Sequence, residues 1–289
     1  MTDTLQRFLM DRSDVRGELV QLDAAWQSLL KSTRYPEPVK RLLGEAVAAT
    51  ALMAETIKFD GNLTLQAQGD GPVKLLVVQV TSERTFRATA KCDETVEAGS
   101  LSEMIGKGQM VITVEQGESR SDYQGVVPLE GERLQEALAA YFERSEQLST
   151  GMWLAANTDR AAGLMLQKLP ESQVSSDDDL WSRVKQLADT VKADELLTLG
   201  GTEVLHRLFH EEEVRVFEGV EYQFRCNCSR NRIANTIYSL GEDDAQALVA
   251  ERGSIEVDCQ FCHQQYRFDA VDVTQLFASD SASSSDQVH

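Results

Sequence analysis

Four of the five cysteines in the sequence form two close pairs near the end of the chain. Cys226 and Cys228 make the first pair, and Cys259 and Cys262 make the second after thirty intervening residues, 229–258. Two close pairs separated by enough chain to fold back can place four thiolates around one tetrahedral Zn²⁺, at roughly 2.3 Å per bond. The spacing therefore predicts a zinc site with four cysteine ligands. The competing interpretations are four unrelated reduced thiols and a disulfide framework.

A zinc ion held by four cysteines has no open position for a catalytic water, so we expect no metal-dependent hydrolysis and no enzyme. The expected role is structural or redox-regulatory. An oxidant that joins neighbouring cysteines would expel the metal and remove a binding free energy on the order of 10 kcal/mol. A small module with few apolar side chains would unfold after such a loss. The four cysteines are therefore a candidate redox switch.

Other reactive side chains carry weaker signals. Cys92 stands alone at a predicted strand end, which favours a packed or partly exposed thiol over a reactive one. His206 and His210 are four residues apart on a predicted helix, but they lack the Glu of a zincin motif, and a solvated helix end is expected there. His263 is a possible substitute ligand beside a site that four cysteines already complete. The run 106–108 reads as a turn because it lacks the rest of a phosphate-loop motif.

Length and composition limit the class of protein. A chain of 289 residues predicts two or three units, and an apolar content of 42% is typical of a globular protein. The longest apolar runs fall short of the roughly 20 residues that a spanning helix needs, so no membrane partner is expected. The first residues resemble no secretion signal, so we expect a cytoplasmic protein, in which clustered cysteines favour metal over disulfides. The net charge of −19 argues against nucleic acid as a partner.

The patterns up to residue 170 predict one α+β domain, with an antiparallel sheet and packed helices, that would form the core of the protein. Apolar residues at helical spacing predict one long buried helix over 39–57, which begins after Pro36 and Pro38. A turn at 69–72 between two alternating segments predicts an antiparallel hairpin. The other predicted elements are strands at 15–22, 86–90, 109–115, 153–156 and 161–167, and helices at 24–30 and 130–148.

The composition changes after Pro170. Residues 171–219 contain 12 acidic and 5 basic residues, and their apolar residues recur at helical intervals. Such helices must dock on another surface to be stable, so this segment is predicted to be an acidic linker that folds conditionally. Residues 220–278 form the predicted cysteine module, with strands at 221–225 and 254–257 and a helix at 243–252. Residues 279–289 are predicted to be a disordered tail.

Several motifs in the sequence resemble those of the redox-regulated heat-shock protein 33 family, and the likeness spans almost the whole chain. The cysteine pattern is the most specific of them. Ser149 stands where the family commonly has a proline, in a loop that leaves the zinc assignment intact. The motifs are Cys226-x-Cys228-Ser229-Arg230 with Cys259-x-x-Cys262, the segments 208–217 and 141–147, Gly69-Asp70-Gly71-Pro72, and the segment 161–167.

The resemblance implies a cytoplasmic bacterial chaperone that works as a holdase without ATP. In this family the reduced, zinc-bound cysteines keep the protein inactive, and peroxide or hypochlorite activates it, especially with heat. By the same analogy the disulfides join Cys226 to Cys228 and Cys259 to Cys262, and zinc leaves. The linker then unfolds, the active form tends to be a homodimer, and unfolding client proteins bind to apolar surface of the N-terminal domain and to the unfolded linker.

Two other functions remain open from the sequence. Paired cysteines also occur in zinc ribbons that bind nucleic acid, although the few arginines near Cys226 give little local basic charge. Cys259-Gln260-Phe261-Cys262 matches the spacing of a thiol-disulfide oxidoreductase, but that activity needs a reactive cysteine at a helix start in a βαβ unit. A gel shift with random nucleic acid and a disulfide-reduction assay distinguish these two functions from the chaperone.

Overall fold

The computed structural model describes residues 3–11, 13–116, 122–170 and 179–281, and the chain divides into two compact units, residues 1–225 and 226–289. The first unit contains two six-stranded sheets. Over the described residues, no helix has both the length and the apolar character needed to cross a bilayer.

The first sheet, sheet A, has the strand order β10-β1-β2-β9-β8, and β11 also pairs with β1. All of its pairs are antiparallel. Its inner strands are buried on both faces, because helices cover each side of the sheet. The strands are β1 (Thr4–Met10), β2 (Val15–Leu22), β8 (Thr150–Ala156), β9 (Ala161–Lys168), β10 (Val214–Val216) and β11 (Val220–Glu221).

The second sheet, sheet B, has the order β12-β5-β4-β3-β6-β7. The predicted hairpin is confirmed, since β3 pairs antiparallel with β4 along its length. Strand β12 is the exception to the antiparallel pattern, because it pairs parallel with β5. The strands are β3 (Gly61–Gly69), β4 (Val73–Thr81), β5 (Thr85–Cys92), β6 (Gly108–Gln116), β7 (Tyr123–Val127) and β12 (Gln223–Phe224).

The long helix α2 (Glu37–Thr56) packs against strands of both sheets, as the apolar spacing predicts. Its small residues let the backbones approach closely. A Cβ on Gly44 would lie 2.5 Å from the Ala156 Cβ, so only glycine fits there. The other helices before residue 170 are α1 (Ala24–Leu30), α3 (Leu101–Ile105) and α4 (Leu134–Ser145). Helix α4 is shorter than the predicted 130–148, because Gly131 and Gln147 adopt positive φ angles of 89° and 57° outside its two ends.

Three helices of the predicted linker lie on the face of sheet A opposite α2. They are α5 (Leu180–Ala188), α6 (Ala193–Thr198) and α7 (Gly201–Phe209). Their apolar side chains, including Val184 and Phe209, share one buried cluster with Phe8, Leu19 and Trp153. The expectation that these helices dock on a surface is therefore confirmed; their conditional folding stays a prediction.

The second unit contains α8 (Arg230–Tyr238), α9 (Glu242–Arg252), α10 (Ala270–Ser281) and a hairpin of β13 (Ile255–Asp258) and β14 (Gln265–Phe268). The unit begins at Cys226 rather than at 220, because residues 220–224 pair with β1 and β5 of the first unit. Helix α10 also runs to Ser281, three residues into the predicted disordered tail; residues 282–289 of that tail lie outside the described residues.

Candidate metal centre

Two short segments of the second unit carry the four cysteines. Cys226 and Cys228 immediately precede α8, whose N-terminus is capped by Ser229, because the Ser229 hydroxyl accepts from the Arg232 N–H at 3.2 Å. Cys259 and Cys262 lie in the turn between β13 and β14. That turn closes where the His263 N–H donates to the Cys259 carbonyl at 2.8 Å. The hairpin and the helix cap thus fix both cysteine pairs.

The four sulfur atoms lie within 4.8 Å of one another. Among the described residues, these four side chains are the group that is placed to hold a metal ion. The Cys226 and Cys259 sulfurs are 3.6 Å apart, and the Cys228 and Cys262 sulfurs are 3.3 Å apart. In a tetrahedral site with metal–sulfur bonds of roughly 2.3 Å, neighbouring sulfurs are separated by about 3.8 Å. The observed arrangement therefore fits a tetrahedral Zn²⁺ with small adjustments of side-chain torsions.

The electrostatics of the sulfur cluster favour a cation. Burial raises the pKa of the Cys226 and Cys262 thiols. Burial opposes the ionisation of Cys259 as well, but the N–H groups of Cys262 and Phe261 donate to its sulfur, and the net effect lowers its pKa. Four adjacent thiols cannot all lose their protons unless positive charge compensates them. A bound Zn²⁺ would supply that charge and hold all four as thiolates.

Side chains around the cysteines hold the cluster in place. The Tyr266 hydroxyl on β14 donates to the Cys228 sulfur at 3.2 Å, and this hydrogen bond raises the pKa of Tyr266 to about 12. Arg230 on α8 lies 4.2 Å from the centre of the Phe268 ring, donates to the Arg267 carbonyl at 2.8 Å and pairs with Asp272 at 2.8 Å. Arg230 thus connects the first cysteine segment to β14 and α10.

The apolar core of the second unit is small. Its buried members are Ile237, Ala245, Val249, Phe268 and Val273. A core of this size contributes little stability to some 55 residues, so a metal ion would supply much of the folding free energy.

The other candidate residues lie elsewhere. Cys92 is half-buried at the end of β5 in the first unit, where burial raises the pKa of its thiol. His206 and His210 are exposed on and just after α7, with ring centres 5.8 Å apart and no third ligand grouped with them in the described structure. His263 follows Cys262 in the chain but does not belong to the sulfur cluster.

The structure also reveals polar contacts that hold the linker helices on sheet A. The Gln21 side-chain amide donates to the Leu196 and Leu199 carbonyls at 3.2 and 2.9 Å. Arg160 donates to the Leu199 carbonyl at 3.0 Å and forms a two-point ion pair with Asp23. One feature of the sequence indicates the Gln21 contact, because a glutamine stands inside the apolar run of β2. The partners of Gln21 lie far along the chain, so the sequence does not identify them.

Comparisons with known proteins agree with this architecture. The family model described as "Hsp33 protein" matches residues 3–269. A protein named 33 kDa chaperonin from Nitrosococcus oceani is 50% identical over 275 residues, which cover 95% of this chain and 94% of that protein. A 33 kDa chaperonin from Pseudomonas fluorescens is 47% identical and covers 96% of this chain and 94% of its own.

A solved structure shares the fold. The crystal structure of a 33 kDa chaperonin (heat shock protein 33 homologue) from Thermotoga maritima superposes with a TM-score of 0.83 at 21% sequence identity, and it covers 97% of this chain and 99% of its own. At that identity the superposition supports the fold alone, whereas the family model and the relatives extend over the linker and the cysteine pairs. On this evidence the chain belongs to the Hsp33 family of chaperones.

Proposed function

We propose that this protein is an ATP-independent holdase of the cytoplasm that binds unfolding proteins under oxidative and heat stress. The observation that carries the proposal is the cluster of four sulfurs within 4.8 Å, which suits one Zn²⁺ held by Cys226, Cys228, Cys259 and Cys262. In the reduced protein these ligands keep the second unit folded. Relatives named 33 kDa chaperonin support the chaperone role.

Oxidation would reverse this state. Each molecule of hydrogen peroxide takes two electrons from one pair of thiolates, so that a disulfide forms and, with two protons, two molecules of water leave. Two such steps consume all four ligands and release the metal. The family resemblance assigns the disulfides Cys226–Cys228 and Cys259–Cys262. Pairing within each short segment remains possible after the module has unfolded, and such small loops restrain the unfolded chain very little.

Client binding would follow from release of the linker helices. Helices α5, α6 and α7 cover an apolar face of sheet A that includes Phe8, Leu19, Trp153 and Leu164. Their removal would expose this surface together with the apolar side chains of the unfolded linker, and both would bind the exposed apolar segments of clients. The active form would be a homodimer.

Light scattering by a heat-unfolding client tests this function. The peroxide-treated protein at elevated temperature should suppress scattering, and the reduced, zinc-loaded protein should not. Zinc release, free-thiol counts and peptide mapping of the disulfides should change in step with activity. Cys259→Ser should remove redox control, whereas Cys92→Ser, the matched control, should behave as the wild type. Equal suppression by the oxidised and reduced proteins would refute the switch.

A further inference from the structure

The segment that leads into the first cysteine lies across the edges of both sheets of the first unit. We call residues 213–225 the strap. It begins on β1 of sheet A, where the Asp11 N–H donates to the Glu213 carbonyl at 2.8 Å, and β10 and β11 then pair with five of the seven residues of β1. It ends on β5 of sheet B, where the Arg225 N–H donates to the Phe86 carbonyl at 3.0 Å. The strap therefore supplies hydrogen-bond partners to backbone N–H and C=O groups on the edge strands β1 and β5.

One side chain anchors the strap between the sheets. Tyr222 is 1% exposed and belongs to the main apolar core. Its hydroxyl lies 3.2 Å from both the Ala51 carbonyl and the Glu55 carboxylate, and its N–H donates to the Asp3 carbonyl at 2.8 Å. Glu55 also accepts from Arg84 at 2.7 Å. The Tyr222 ring thus fills an apolar slot beside the strand edges, and the Ala51 carbonyl and the Glu55 carboxylate line the polar end of this slot. We call it the Tyr222 slot.

The sequence of the strap shows what these edges accept. Apolar residues occur at every second position through Val220, Tyr222 and Phe224, and Phe224 packs against Phe86 with ring centres 6.1 Å apart. The earlier part of the strap leaves apolar side chains exposed to solvent, since Val216 and Phe217 are 45% and 37% exposed. The paired strands are short, and β12 covers only two of the eight residues of β5. The edges therefore hold a short, alternating, aromatic-containing strand.

We propose that the strap occupies a client-binding site in the resting protein. In the activated chain, extended segments of unfolding proteins add as strands to the edges of β1 and β5 and place an aromatic side chain in the Tyr222 slot. This inference rests on the proposed function, because it needs oxidation to loosen the strap, whose last residue immediately precedes Cys226. Strand addition uses main-chain hydrogen bonds for affinity, so it accepts many sequences, as a holdase must. A free sheet edge is also the surface to which aggregation-prone strands bind.

The test uses a fluorescent peptide with the sequence of residues 213–225 and a matched peptide in which Tyr222 is replaced by Ser. Anisotropy measures binding to the full-length reduced and oxidised proteins, and hydrogen exchange locates the bound peptide. We expect binding to the oxidised protein only, protection of β1 and β5, and competition with an unfolding client. The Tyr222→Ser peptide should bind roughly tenfold more weakly, because it cannot fill the aromatic slot.

Two full-length variants provide a second measurement. Tyr222→Ala weakens the binding of the strap to the Tyr222 slot, so the strap competes less with the peptide. The oxidised variant should therefore bind the wild-type peptide roughly tenfold more tightly than the oxidised wild type does. Phe217→Ala, which changes an exposed aromatic of the strap, should leave peptide affinity unchanged. Equal peptide affinities of the Tyr222→Ala and wild-type proteins would count against the proposed site.

The outcomes separate this inference from the proposed function. An oxidised protein that suppresses client aggregation while the peptide protects neither edge, or protects only residues 179–212, overturns strand addition and leaves the holdase intact. An oxidised protein that fails to suppress aggregation while the peptide protects β1 and β5 overturns the holdase and leaves the edge site standing.

Discussion

At the scale of single residues, the least expected feature is the carboxyl group of Glu18. It lies on β2 in the core and is 2% exposed, and its Oε2 atom has no hydrogen-bond partner among the described residues. Burial raises the pKa of Glu18 to about 8, nearby Arg16 and Arg7 lower it, and Glu55 raises it. Glu18 therefore stays protonated in the folded protein at pH values where the unfolded chain has already lost the proton.

We predict that Glu18→Gln stabilises the first unit above neutral pH. In the wild type, the folded state binds one more proton than the unfolded state between the unfolded pKa of 4.5 and the folded pKa of about 8. The unfolding free energy should therefore fall as pH rises through this window, by up to roughly 1.4 kcal/mol per pH unit, and level off above it. Glutamine is neutral at every pH and should remove this slope.

Urea unfolding followed by tryptophan fluorescence between pH 5 and about 9 measures the effect. The difference in unfolding free energy between Glu18→Gln and the wild type should be larger near pH 8 than at pH 5, by on the order of 3 kcal/mol. The matched control Glu83→Gln changes an exposed carboxylate and should leave the pH profile as it is. Parallel profiles for Glu18→Gln and the wild type would show that Glu18 ionises normally in the folded protein.

The residues of the candidate site differ in how far the sequence could predict them. The four cysteines were found because ligands of one metal recur at short, regular spacing, and the structure brings the same four together. Glu18 and Tyr222 carry no such pattern. Their environments are built by partners from distant parts of the chain, such as Glu55 for Tyr222. Their roles therefore emerge only after the sheets and α2 have packed.

At the scale of elements, long periodic segments were predictable and short edge strands were not. Helix α2 and the β3–β4 hairpin follow from apolar spacing and turn residues. The sequence patterns predict neither strand β1 nor helix α8, and they place β12 in the cysteine module. Its hydrogen bonds go to β5, and local sequence contains no information about a parallel partner so far away.

The contact between Gln21 and the end of helix α6 should help to set how easily the linker leaves sheet A. The Gln21 amide satisfies the Leu196 and Leu199 carbonyls, which the helix itself leaves without partners. Gln21→Ala should lower the opening free energy of α5–α7 by about 1–3 kcal/mol, because the buried Leu196 carbonyl then lacks a donor, while Arg160 still donates to the Leu199 carbonyl. The oxidised variant should then become active at a lower temperature than the wild type.

Hydrogen exchange across residues 179–212 of the reduced protein measures this opening directly. The matched control Gln66→Ala removes an exposed amide on sheet B and should leave both exchange and activation temperature unchanged. Faster exchange in Gln21→Ala without a shift in activation temperature would separate linker opening from activation.

At the scale of the whole molecule, the two units should respond differently to loss of the metal. The first unit contains two large buried clusters, whereas the core cluster that the described residues of the second unit form has five buried members. Metal coordination worth on the order of 10 kcal/mol exceeds what so small a core supplies. A strong chelator added to the reduced protein should therefore unfold the second unit and leave β1–β9 protected from hydrogen exchange.

Chelation without oxidation also distinguishes metal loss from disulfide formation as the event that frees the linker. If metal loss is sufficient, exchange should rise across residues 226–281 first and then across the strap and α5–α7, and returning Zn²⁺ should restore protection because no covalent bond has formed. Cys226→Ser should reproduce the chelated state, and Cys92→Ser, the matched control, should still need chelator. Retained protection of the second unit after complete metal removal would contradict a metal-dependent fold, whereas loss confined to residues 226–281 would assign linker release to the disulfides.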